Sequence, residues 1–167
     1  MLDRLVRSLA MSGAIALGAC QTNCASTWDY QTFYPPNNTK PIAISNKVQN
    51  SLFYIYKDQP NEIPVCLLGH NYEHQLRIDD IAIPPIGYSD NRSANYDDTY
   101  CHKTGGYVGM VHNHPNNFCG VSAGDLARFL KDERADIEVV FCGINEDGTI
   151  KLHLLPRPVE ADKVIVK

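Results

Sequence analysis

Between Tyr107 and Ile144 the chain reads strand, helix, strand, and this stretch limits the fold more than any other. Tyr107–His112 is apolar and of strand length. Ser122–Arg134 sets Leu126, Phe129 and Leu130 on one helical face and Arg128, Lys131 and Asp132 on the other. Ile137–Ile144 is again a short apolar run. A helix with one apolar face between two strands has to pack on the sheet those strands join.

The rest of the chain extends this pattern. Ser45 is placed to cap a helix whose apolar positions Val48, Leu52, Ile55 and Tyr56 share a face. Val65–Leu68 reads as a buried strand closing at Gly69, and Leu76–Ile83 as a strand stopped by Pro84 and Pro85. After a turn at Glu146-Asp147-Gly148, Ile150, Leu152 and Leu154 alternate with Lys151 and His153 in a last strand. These elements predict an α/β fold, a mixed β-sheet flanked by helices, as a single domain over residues 41–167. At 167 residues there is room for one domain with a core and not for two. Residues 87–105 read as a long polar loop carrying Tyr88, Tyr96 and Tyr100, a length that usually marks a functional segment.

The N-terminus reads separately. Arg4 and Arg7 precede an apolar or small run from Leu9 to Ala19, too short to span a bilayer. It ends in Leu17-Gly18-Ala19-Cys20, which looks like a bacterial lipobox. That resemblance implies a signal peptide over 1–19, a lipid on Cys20 and a membrane anchor there. Gln21 after the cysteine, where an aspartate would retain the protein at the inner membrane, implies the outer membrane of a bacterial cell envelope. Residues 20–40, polar and turn-rich, are expected to be a tether. The net charge of −4 and the lack of a basic run argue against nucleic acid as a partner.

Of the other cysteines, Cys66 and Cys142 sit in apolar runs, where a free thiol behaves as a small hydrophobe. Cys101 and Cys119 flank one strand, and in an oxidising compartment they are the favoured disulfide. Sequence alone leaves the connectivity open.

His112 and His114 are two apart at a strand end, so both side chains point to one side. Asp125, in the first turn of the following helix, can supply a third ligand if the intervening loop folds back. Ser122 and Asp125 also form the pattern of a helix capping box, and either reading suits those two residues alone. The whole spacing, His112-x-His114-x7-Ser122-x2-Asp125, resembles that of the JAMM (MPN/JAB-domain) zinc metallopeptidases. Glu62, seven residues before Gly69 and just after a helix, resembles the family's upstream glutamate. The resemblance covers roughly residues 42–155 and departs at Asn113 and Val65, where relatives often carry other residues.

The resemblance implies the JAMM architecture, one zinc on His112, His114 and Asp125, Glu62 as general base, and Ser122 donating to an oxyanion. It implies hydrolysis of a peptide or isopeptide amide bond in a protein or peptide substrate. The compartment adds peptidoglycan stem peptides as candidates. A free Cys119 thiolate near this site would be able to occupy the metal, and a disulfide would remove that threat. The competing reading is a metal-free binding or scaffold lipoprotein on the same fold. A zinc nucleobase deaminase needs a C-x-x-C pair, which the chain lacks. Glu73, a rival for the base, and His153 are expected in solvent, and His70, His74 and His102 outside the site.

Overall fold

The computed structural model describes residues 30–35, 39–114 and 118–157, which form one α/β unit built on a curled mixed sheet. Residues 1–29, which hold the expected signal peptide, Cys20 and Cys24, and residues 158–167 lie outside the described residues. The elements are β1 (Tyr30–Phe33), β2 (Ile42–Ser45), α1 (Asn46–Tyr56), β3 (Val65–Asn71), β4 (Leu76–Ala82), β5 (Ile86–Ser89) and β6 (Ala94–Tyr96). They continue with α2 (Asp98–Lys103), β7 (Tyr107–Asn113), α3 (Ala123–Lys131), β8 (Ile137–Ile144) and β9 (Ile150–Pro156). The seven-stranded sheet has the order β1-β2-β4-β3-β7-β8-β9, and β5 and β6 pair as a separate hairpin.

β7 and β8 are parallel, with α3 as their crossover, and β2 pairs parallel with β4. The remaining pairs are antiparallel. In α1, Ser45 accepts the Val48 N–H as N-cap, and Val48, Leu52 and Tyr56 are buried. They pack on Ile44, Leu67, Ile78, Val111, Val139 and Phe141 from one face of the sheet. The opposite face carries Cys66 and Met110 against Cys101 of α2, with Tyr96 and Tyr107 beside them.

The faces of β7 are set by a bulge. Leu67 pairs with Gly109 but Leu68 pairs with Tyr107, so Val108 is an extra residue. A Cβ on Gly109 would lie 1.9 Å from the Ile137 carbonyl oxygen, so only glycine fits that approach.

Several expectations are corrected. The sheet begins at Tyr30, inside the expected tether, because β1 pairs with β2 and Tyr30 donates to Asp79. Residues 87–105 are not a loop: they hold most of the β5–β6 hairpin and α2, which is capped by Asp97. β3 runs past Gly69 to Asn71, and α3 ends at Lys131. The favoured Cys101–Cys119 bridge does not form; the disulfides are Cys66–Cys101 and Cys119–Cys142. Side chains of β3 and β8 that the apolar pattern marked as free core thiols point to the face α2 and α3 cover, where partners meet them. On α3, Leu126 and Leu130 are 41% and 58% exposed, while Asp125 and Phe129 turn inward.

Candidate metal centre

β7 delivers His112 and His114 to the same side of the sheet. The bulge at Val108 shifts the alternation by one residue, so Met110 and His112 share the α2–α3 face, while Val111 joins the core under α1. The helix start brings Asp125 to them through the capping box: Ser122 Oγ accepts the Asp125 N–H at 3.2 Å, and Asp125 Oδ2 accepts the Ser122 N–H at 3.0 Å. The same Oδ2 lies 3.4 Å from His112 Nε2 and 3.4 Å from His114 Nε2. Cap and ligand are therefore one arrangement, not rival readings.

The two Nε2 atoms are 2.9 Å apart. The three atoms thus make a triangle with sides of 2.9, 3.4 and 3.4 Å. Ligands about 2.0–2.1 Å from a tetrahedral zinc stand roughly 3.3–3.4 Å from one another, so the donor set fits a metal of that kind. His112 is fully buried, Asp125 buried and His114 partly exposed, so the group opens to solvent on the His114 side. Phe118 lies edge-on to His114 at that opening.

Glu62 is buried, and burial raises its carboxyl above the usual value while the His112 charge opposes and the Asp125 charge adds to the rise. It therefore sits within electrostatic reach of the triad. Its segment is held from two sides. Asn113, pointing away from the histidines, accepts the Ile63 N–H at 2.9 Å and donates to the Asn61 carbonyl at 3.1 Å. The β5–β6 hairpin contributes the Asp90 carbonyl, which accepts the Glu62 N–H at 2.7 Å, and the Ser89 hydroxyl, which donates to the Glu62 carbonyl.

Two further charged residues close the site: the sequence reading passed over Glu138 and set Arg128 on the polar face of the helix, away from the sheet. Glu138 on β8 is 1% exposed, and its Oε1 lies 3.1 Å from His112 Nδ1. Arg128 Nη2 bonds that Oε1 at 3.1 Å and Asp125 Oδ1 at 3.3 Å. Burial pulls His112 down, but Asp125 and Glu138 together outweigh it and hold the ring at about 9. Burial and the His112 charge push His114 below its usual value. Asp125 resists burial because His112 and Ser122 stabilise its charge, leaving it well below the usual carboxylate range. The signal for Glu138 was a lone acid in an apolar strand, a position that demands a partner.

Both disulfides lie around this centre. Cys66–Cys101 fastens α2 to β3, and Cys119–Cys142 fastens the loop before α3 to β8. Cys119 is thus no thiolate competitor for a metal, though its partner is Cys142 and not Cys101. Glu73 is 87% exposed and His153 is exposed, as expected, and His70 and His74 also lie exposed, away from the triad. His102 lies outside the triad, 3.0 Å from Asp132, to which Tyr107 also donates. No known family model matches the chain and no curated protein matches it, so the conclusion stands on geometry: His112, His114 and Asp125 form a largely buried group that can hold a metal ion.

Proposed function

We propose that the protein is a zinc-dependent hydrolase of peptide or isopeptide bonds with the JAMM architecture, working in a bacterial cell envelope from a lipid anchor at Cys20. One observation carries this reading: two imidazole nitrogens and one carboxylate oxygen converge at the spacing of a tetrahedral site, and a buried acid, Glu62, lies within electrostatic reach.

His112, His114 and Asp125 would hold the zinc, which when bound would supply Lewis acidity to lower the pKa of water and polarise an amide carbonyl. Glu62 takes the proton from the attacking water and delivers it to the leaving amine. A carboxyl raised by burial suits both halves of that transfer. Ser122 stands at the N-terminus of α3, where its hydroxyl and the helix dipole face negative charge developing on the substrate oxygen. Arg128 keeps Asp125 Oδ1 engaged, so Oδ2 is the oxygen presented to the site.

The alternative is a metal-free binding module. It is favoured by the way Arg128 and a protonated His112 already balance Asp125 and Glu138. Zinc content of the purified protein beside its Asp125→Ala variant decides between the two. About one zinc per chain, lost in the variant, supports the hydrolase, and no zinc after reconstitution supports the module. Peptide, isopeptide-linked and stem-peptide substrates, with Glu62→Gln as the inactive control, then test the reaction.

A further inference from the structure

Glu138 has no part in the chemistry above, yet it is the most buried carboxylate among the described residues. It projects from β8 between Ile137 and Val139, which both face α1, and its register partner is Met110. A carboxylate in that place is costly unless paired. It has two partners, and each leads to a residue of the triad.

We infer that Glu138 is a positioning residue for the metal site: it holds the His112 ring with Nε2 toward the metal, and Arg128 locks Glu138 in turn. This rests on the metal-site reading. An imidazole can ligate through either nitrogen, and the group on the far nitrogen decides which. Here Nε2 faces His114 and Asp125, while Nδ1 faces Glu138 Oε1 at 3.1 Å. Nδ1 is buried and has no acceptor in line with its N–H, so Glu138 is the acceptor within reach when the ring settles on a metal. Arg128 spans Glu138 Oε1 and Asp125 Oδ1 through one nitrogen, Nη2. The outer atoms of two ligands, His112 Nδ1 and Asp125 Oδ1, are therefore tied to a single Glu–Arg pair.

The rival explanation is a structural ion pair that only docks α3 on the sheet. The two explanations separate because a buried ion pair is often replaced by an apolar residue without loss of stability. The test compares the purified wild-type protein with Glu138→Leu and the isosteric Glu138→Gln. Zinc affinity is measured by competition with a chelator, the visible spectrum after cobalt substitution, and thermal unfolding without metal. Glu138→Leu should weaken zinc about 10–100-fold and shift the cobalt bands. Glu138→Gln should lose less, since its amide oxygen still accepts from Nδ1–H. Wild-type zinc affinity and an unchanged cobalt spectrum in the Leu variant would overturn the inference, whatever happens to the melting temperature, and so would a Gln variant that binds zinc no better than Leu. A wild-type protein that takes up neither zinc nor cobalt would instead overturn the metal reading beneath it.

Discussion

Under α1, Val48, Leu52 and Tyr56 meet Ile44, Ile78, Val111 and Val139, and the Tyr56 hydroxyl is satisfied by the Ile63 and Val111 carbonyls. Across the same strands, the α2–α3 face presents Cys66, Met110, His112 and Glu138, tied by two disulfides and a chain of ion pairs. The first face is stabilised by apolar area, which is non-directional and tolerates small shifts. The second is covered by helices of six and nine residues, too short to bury much surface, and is held by bonds with fixed geometry. Direction is what a ligand set needs, and the site lies on the directional face.

Four changes break or sharpen that contrast. Leu52→Ala empties the centre of the α1 face and should cost about 3 kcal/mol in denaturant unfolding while leaving zinc affinity as it was. Removing the α2 staple with Cys66→Ala and Cys101→Ala together should also cost about 3 kcal/mol, from the freed unfolded chain. Here the loss should concentrate on one side: amide exchange should quicken in α2 and the hairpin before α1. Asn113→Ala cuts the tie between β7 and the Glu62 segment, with a stability loss of about 1–2 kcal/mol. The proposed hydrolysis should fall tenfold or more with zinc content unchanged, a split that Leu52→Ala should not produce. Ser45→Ala removes the α1 cap, a loss of about 1 kcal/mol that should leave both zinc and turnover untouched.

Legibility in the sequence follows the same division. The α1 helix, β3, β4, β7, β8 and β9 were readable because each buries a continuous or periodic apolar set. The triad was readable because His112, His114, Ser122 and Asp125 lie within one short stretch. What escaped is non-local or reverses the usual pattern. β1 reads Tyr-Gln-Thr-Phe, an edge strand too polar to stand out from a tether. Cys66 and Cys142 look like core residues because their strands are apolar, and nothing local shows which thiols lie across from them. The α3 helix inverts its amphipathicity: Asp125 and Arg128 turn toward His112 and Glu138, and Leu126 and Leu130 are left outward. Hydrophobic periodicity predicts a face by burial, and here ion pairing sets it.

The extra residue in β7 has a consequence for how this chain tolerates change in length. Upstream of Val108 and Gly109, odd and even positions of the strand have one assignment to the two faces; downstream they have the opposite one. Deleting one residue there would close the bulge, since Leu67 and Leu68 would then face consecutive residues, and Val111 and His112 would keep their faces. Inserting one is the damaging change: it would turn the rest of the strand over, sending Val111 out toward Asp125 and driving His112 into the aliphatic layer under α1. The ligand set and the core are thus two readings of one frame, with slack for a residue lost at this point and none for a residue gained.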